Sequence, residues 1–358
     1  MKQLKVAIIG QGRSGYSIHG SFFLKQPEKF KVVAVVDLIE KRRNLAKQRY
    51  GDDVLVFENY QDLFSTTQEI DFVVNASYSH MHYSISKDLL EHGFNVLSEK
   101  PFCKTANEVN DLIDTAKKNN RMLAVFQNSR YASYFLKVQE IIKSKVLGDI
   151  IQISIDFSGF ARRWDWQTLQ SYNGGNLYNT GPHPLDQALQ LFGDGEPKVK
   201  AFMNRANTFG DAEDYVKVLL YGDNKPVIDL EISSCQGYKP FTYNIQATRG
   251  ALNGSMTEID WKYFKEDECE NQTLKISFDK PDSDTPAYCS ESLNWHEMHW
   301  DDKGEEYGTF FSMTKRFYEM LYNHIVNGSE LEVTPLQVLK QIKVIEEAHK
   351  QNPLSKKY

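Results

Sequence analysis

Gly10-Gln11-Gly12-Arg13-Ser14-Gly15 constrains this chain more than any other stretch. An apolar, strand-like run from Lys5 to Ile9 leads straight into it, and a second β-branched run, Val32 to Val36, ends in Asp37. In that setting Gly10 allows a tight strand-to-helix turn, Gly12 lets backbone amides approach a pyrophosphate, and Gly15 lets helix and strand pack closely. Gln11, Arg13 and Ser14 complete the loop facing the phosphates. Asp37, 22 residues beyond Gly15, is placed to accept hydrogen bonds from an adenosine ribose. A glycine-rich turn alone says little. The strand before it, the helix after it and the acid closing the next strand make it a dinucleotide site. The Asp37 carboxylate repels a 2′-phosphate, and Leu38 and Ile39 directly after it supply no cation. Arg42 and Arg43 lie further along the helix, where charges are ordinarily solvated. NAD is therefore expected over NADP.

The same rhythm continues to Phe126. Apolar runs at Phe72 to Ala76, Asn95 to Leu97 and Met122 to Phe126 alternate with helical stretches at Glu40 to Tyr50 and Met81 to His92. Thr105-Ala106-Asn107-Glu108 forms a capping box that opens another helix. Alternation of this kind predicts an α/β fold with a doubly wound parallel sheet over residues 1–126. Beyond it the pattern changes. A helix at Tyr134 to Val146 is followed by strand-like runs at Ile150 to Phe157, Val199 to Met203, Tyr215 to Tyr221, Val227 to Ser233 and Phe241 to Thr248. Tyr221-Gly222-Asp223-Asn224-Lys225 reads as a hairpin turn, so residues 127–358 are expected to carry a mostly antiparallel sheet. One helix, near His183 to Phe192, interrupts the strands. Asp267 to Asp302, with Pro281 and Pro286, reads as loop. Two helices close the chain, one with an apolar stripe of Phe310, Met313, Phe317, Met320, Leu321 and Ile325, the other opened by Thr334-Pro335-Leu336-Gln337.

Composition narrows the partners. A length of 358 residues fits about two domains. The 48 acidic and 42 basic residues give −6, with no basic stripe, which argues against a nucleic-acid ligand. No apolar run approaches the ~18 residues of a membrane span. Met1 to Lys5 leads directly into the first strand without a secretory signal. Cys103, Cys235, Cys269 and Cys289 are scattered, with no C-x-x-C pair, so free thiols in a reducing cytoplasm are expected.

Two further constellations bear on chemistry. Glu99-Lys100-Pro101 follows a strand end, where ligands of a doubly wound sheet bind, although by itself it is an ordinary surface loop. The stretch Asn173-Gly174-Gly175-Asn176-Leu177-Tyr178-Asn179-Thr180-Gly181-Pro182-His183 places a polar residue four positions before a histidine at a helix entrance. Histidine titrates in the range suited to proton transfer, and it equally caps or packs its own helix.

Together with Ser77-Tyr78-Ser79-His80-Met81-His82 and Gln127-Asn128-Ser129-Arg130, these motifs resemble the glucose–fructose oxidoreductase / inositol dehydrogenase (Gfo/Idh/MocA) family along nearly the whole chain. The resemblance implies a Rossmann domain followed by an α+β domain with a large open sheet, one face of which makes the contact of a homodimer or homotetramer. It implies NAD(P)-dependent oxidation or reduction of a sugar, polyol, inositol or glycoside. By it, Lys100 contacts substrate and cofactor, Glu99 helps hold the cofactor, and His183 is a catalytic acid/base. Ser77 and His80 line the nicotinamide side, and Gln127 joins the cofactor set. Asn179, Tyr178, Arg163 and Trp164 are the expected substrate contacts, the last two from Arg162-Arg163-Trp164-Asp165-Trp166, whose rings suit the apolar face of a pyranose and equally a structural cluster.

Many members carry aspartate where this chain has Asn179, an amide that cannot take a proton near neutral pH. Two other functions therefore stay open: glycoside cleavage through transient oxidation by bound NAD, and a non-catalytic sugar or dinucleotide sensor. His296-Glu297-Met298-His299, with Cys289 upstream, is one residue short of H-E-x-x-H, and no metal is expected there.

Overall fold

The computed structural model describes residues 2–238, 241–274, 290–303 and 308–358. Its first sheet is built from runs that are apolar on both faces, as strands covered by helices on each side must be. Strands β1 (Leu4–Ile9), β2 (Phe30–Val36), β3 (Leu55–Phe57), β4 (Phe72–Asn75), β5 (Val96–Ser98) and β6 (Leu123–Val125) pair in parallel in the order β3-β2-β1-β4-β5-β6. The order reverses between β1 and β4, and that switch point opens a crevice beyond the carboxyl ends of the strands. Helices α1 (Ser21–Leu24), α2 (Glu40–Tyr50), α3 (His82–Glu91) and α4 (Ala106–Lys118) connect these strands, and α4 starts with the expected capping box.

After α5 (Ser133–Lys143) comes the second sheet, formed by β7 (Ile150–Asp156), β8 (Lys198–Asn204), β9 (Tyr215–Tyr221), β10 (Val227–Ser233), β11 (Tyr243–Ala247), β12 (Gly250–Gly254), β13 (Glu258–Tyr263) and β14 (His296–Asp301). Its order is β14-β13-β12-β11-β7-β10-β9-β8, antiparallel except where β10 pairs with β7. Alternation sets its faces: Val216, Val218, Leu220, Ile228, Leu230 and Ile232 are buried. Between β7 and β8 lie the single turn α6 (Asn176–Asn179) and α7 (Pro182–Phe192). α5, α7 and α9 (Pro335–Gln351) fill one side of the sheet with Phe135, Val138, Leu185, Leu189, Ile342 and Ile345.

The expected loop from Asp267 to Asp302 needs correcting at its end. His296–Asp301 is a strand, paired residue for residue with β13. Its sequence lacks aliphatic β-branched residues, so pairing with a formed neighbour rather than its own propensity makes it extended. Pro281, Pro286 and Cys289 lie outside the described residues. Among the described residues, no helix is long and apolar enough to cross a membrane.

The chain also doubles back. Helix α8 (Thr309–Asn327) lays Phe317 and Leu321 from its predicted stripe, together with Tyr318, against Leu4, Val6, Ile8, Phe22 and Phe30 of the first sheet and its helix, while Phe310 stays exposed. A division at 126/127 is therefore crossed by the last part of the chain. Arg130 ties the junction: its Nε donates to Asp186 Oδ2 on α7 at 2.9 Å, and its Nη1 to the Glu332 carbonyl at 3.0 Å and Gln337 Oε1 at 2.6 Å. Asp186 is 2% exposed. Asp186→Asn strands a buried guanidinium charge and should lower stability by about 3–5 kcal/mol, read from the midpoint of urea unfolding.

Candidate active site

Gly10 begins the turn after β1, its amide donating to the Val36 carbonyl at 2.8 Å. Residues Arg13–Gly20 then wind as a π-helix into α1. This winding rests on contact between backbones, because a Cβ on Gly15 would lie 1.8 Å from the Gly10 carbonyl oxygen. As the first groups of a helix, the amides of Arg13 and Ser14 have no intrahelical acceptor and suit an anionic ligand. Above Gly12 there is open space: a Cβ there would meet nothing closer than Arg42 Nη1 at 3.9 Å. These residues fit a dinucleotide pyrophosphate.

Asp37, at the end of β2, holds the same loop. Its Oδ2 accepts from the Gln11 amide at 2.7 Å and its Oδ1 from the Ile39 amide at 2.8 Å. The expectation that Arg42 and Arg43 are simply solvated is corrected by this geometry. α2 starts at Glu40, so both arginines sit in its first turn and fold back toward Asp37. Arg42 Nη1 lies 3.5 Å from Asp37 Oδ2, and Arg43 Nη1 donates to the Asp37 and Leu38 carbonyls at 2.8 and 3.0 Å.

Across the switch point, Glu99 follows β5 and is 3% exposed. Its Oε1 lies 3.0 Å from His19 Nε2, the other ring nitrogen of His19 is 2.6 Å from the Tyr318 hydroxyl, and Oε2 accepts the Lys100 amide at 3.0 Å. Burial alone would raise the Glu99 carboxyl, but the His19 bond and the charges of His19 and Lys100 bring it down to about 2. His19 and Tyr318 were not foreseen from sequence, since His19 meets Glu99 from a different helix and Tyr318 meets His19 from α8.

Lys100 Nζ donates to the Asn179 carbonyl at 2.9 Å, joining the first sheet to α6. Burial and the nearby charges of Arg13 and Arg163 lower its proton affinity, against the pull of Glu99. Asn179 Oδ1 accepts from Gln167 Nε2 at 2.9 Å, and Gln167 Oε1 accepts in turn from Arg163, which is chelated by Asp165. His183, at the start of α7, has Nδ1 3.1 Å from Ser129 Oγ. Burial, with the Lys100 charge, pushes this imidazole down to about 3. Lys100, Asn179 and His183 thus converge at one end of the crevice, together with Gln167, which sequence reasoning missed.

Other expected residues are placed differently. Ser77 Oγ donates to Asn75 Oδ1 at 2.7 Å. His80 packs on Tyr172 with ring centroids 4.5 Å apart, and Tyr78 meets Trp166 at 5.0 Å, so an aromatic group bridges the two halves beside the crevice. It is Trp166 that takes part; Trp164 is 79% exposed, against Phe209. Tyr178 is buried, its hydroxyl donating to the Lys104 carbonyl at 2.9 Å. Gln127 is fully buried in the junction, its Nε2 on the Pro182 carbonyl and Gln341 Oε1, and its own Oε1 has no partner among the described residues. On β14, His296 faces Glu268 and His299, three residues on and so on the opposite face, meets Asp260.

Comparison with known proteins agrees with this geometry. Residues 4–127 match the oxidoreductase family model with an NAD-binding Rossmann fold, and residues 135–253 match the GFO/IDH/MocA C-terminal domain. The chain belongs to the Gfo/Idh/MocA family of oxidoreductases and is an enzyme of that family. An uncharacterized oxidoreductase of Schizosaccharomyces pombe is 27% identical over 379 residues, covering 99% of this chain and 98% of its own. The D-glucoside 3-dehydrogenase of Escherichia coli is 29% identical over 55% of this chain and 56% of its own. The scyllo-inositol 2-dehydrogenase (NADP(+)) of Bacillus subtilis is 27% identical over 53% of this chain and 52% of its own. The crystal structure of an NAD-binding protein from Listeria innocua superposes with a TM-score of 0.79 at 22% identity, over all of both chains.

The two glycines of the loop should separate on substitution. Gly15→Ala forces the helix off the strand and should cost about 1–3 kcal/mol. Gly12→Ala should leave the stability of the free protein within about 0.5 kcal/mol, yet remove most of the thermal stabilisation that NAD confers. Thermal unfolding with and without NAD reads both.

Proposed function

We propose that the protein is an NAD(P)-dependent dehydrogenase or reductase acting on a secondary alcohol, or the corresponding ketone, of a sugar, polyol, inositol or glycoside. The observation that carries this reading is Lys100 at the crevice end, its ammonium on the Asn179 carbonyl and its proton affinity lowered, with His183 close by. Relatives named as a glucoside dehydrogenase and an inositol dehydrogenase support the substrate class. When bound, the nicotinamide supplies hydride transfer at the substrate carbon. Lys100 moves the hydroxyl proton, because its free amine is within easier reach than that of a solvated lysine. His183, down at about 3, is a neutral ring at ordinary pH that orients the same hydroxyl. Asn179 offers an amide where a carboxylate would have stabilised an imidazolium. Cys103, Cys235 and Cys269 as free thiols support a reducing cytoplasm. The uncovered face of the second sheet, with Phe202, Tyr221 and Val227 exposed, supports pairing of copies.

A panel of sugars, inositols and glycosides with NAD and NADP, following nicotinamide absorbance and glycoside cleavage together, tests the reading. Oxidation should quicken as pH rises through a Lys100 pKa below the ordinary lysine value, and Lys100→Met should lower turnover by about a hundredfold or more with NAD binding retained. Sugars that bind the NAD complex but are neither oxidised, reduced nor cleaved would make the protein a sensor instead.

NAD is the proposed resident cofactor, with a narrower margin over NADP than the sequence implies. Asp37 already accepts two backbone amides, and Arg42 beside it supplies a cation toward a 2′-phosphate. Arg42→Ala should weaken NADP binding about tenfold or more, the worth of one hydrogen bond to a charged group, and leave the NAD dissociation constant unchanged by titration.

A further inference from the structure

We propose that the buried Glu213 and the half-buried His349 form a clamp that positions Asn179 and His183 through helix α6, an assignment that rests on reading those two residues as substrate-facing. α6 is a single turn, Asn176–Asn179, too short to hold itself in water. Its own segment provides no side-chain cap. Glu213, from the loop between β8 and β9, does so in its place: Oε1 accepts the Leu177 amide at 3.1 Å, and the Glu213 carbonyl accepts the Asn176 amide at 2.9 Å. The carboxylate lies against Gly175, at φ +106°, where a Cβ would fall 2.3 Å from Oε1. Only glycine fits there.

A carboxylate at 2% exposure needs a counter-charge, and α9 brings one. His349 Nε2 is 3.5 Å from Glu213 Oε2, while Nδ1 is 2.9 Å from the Ile345 carbonyl. A carbonyl only accepts, so Nδ1 carries a hydrogen, and a carboxylate on the other side favours one on Nε2 as well. The Tyr178 ring stacks on this imidazole with centroids 4.9 Å apart, and the Tyr178 hydroxyl reaches the Lys104 carbonyl four residues beyond Lys100. One side chain of the last helix thereby supports both walls of the site.

The charged groups facing His349 are Glu213 and Lys104, and Glu346 and Glu108 lie around the stacked Tyr178. Burial and Lys104 disfavour the cation, but Glu213 and the Ile345 carbonyl outweigh them and hold the ring above the ordinary histidine value. A raised value means that the clamp is fully present below about pH 6.5 and is lost as pH rises through the folded-state pKa.

Hydrogen exchange by mass spectrometry on the full-length chain with NAD tests this. Residues 175–183 should exchange about tenfold faster in His349→Gln, with β1, β4 and the NAD-induced thermal shift unchanged. Glu213→Gln keeps an acceptor for Leu177 and should loosen the segment less. In the wild type, exchange of 175–183 relative to β1 should rise above about pH 6.5, a dependence absent from His349→Gln. Equal protection of this segment in wild type and both variants overturns the clamp, as does a loss of protection spread evenly over the second sheet. On any substrate the panel yields, both variants should lower kcat more than they change KM. A panel without turnover defeats the functional reading while leaving the exchange result standing; unaltered exchange with normal turnover defeats the clamp alone.

Discussion

The site depends on an ionised carboxylate kept in the interior. Glu99 has almost no solvent, and it remains charged because His19, Tyr318 and the Lys100 amide are built around it. These partners come from the first helix, from the strand end itself and from α8, so three separate parts of the chain must be in register for the charge to be tolerated. Once present, the carboxylate keeps a neighbouring ammonium in place against burial and two arginines.

The two proton-binding groups at the end of the crevice are then pushed the same way. Lys100 and His183 both bind protons less tightly than they would in water, and the Lys100 charge adds to the burial that keeps the ring neutral. With asparagine at 179, only the Glu99 charge works to restore proton affinity to the imidazole, and burial and Lys100 outweigh it. On the proposed function, the amine is then the group that handles the proton, and the ring acts through hydrogen bonding. Gln167, Arg163 and Asp165 extend this polar chain outward from Asn179, so that a residue with no titratable group is still rigidly oriented.

The parallel half was legible in the sequence because its information is local: glycine spacing, unbroken apolar runs and an acid at a strand end. β3, with three residues, is too short to show a period, and β12 to β14 owe their extended form to neighbours. Within the site, Lys100, Asn179 and His183 were found through short motifs. Long-range pairs left no trace of that kind. His19 meets Glu99 across 80 positions and Tyr318 across 299, and no spacing rule links Glu213 to His349. Trp164 and Trp166 are indistinguishable as letters; only the turn between them decides which one faces Tyr78. Arg42 was misjudged although its helix begins where the sequence places it, because the letters do not say that its side chain folds back from the first turn to Asp37.

The return of α8 to the first sheet bears on how the protein is made. Synthesis delivers the glycine loop and all six parallel strands early, yet Leu4, Val6, Ile8 and Phe30 stay uncovered on one face until Phe317, Tyr318 and Leu321 leave the ribosome. For most of translation the nucleotide-binding half is an unfinished sandwich with an oily side. It is competent to close only after the entire second sheet has been made and bypassed, so nascent chains should engage chaperones through that face, and a fragment ending near Phe126 should aggregate rather than bind NAD.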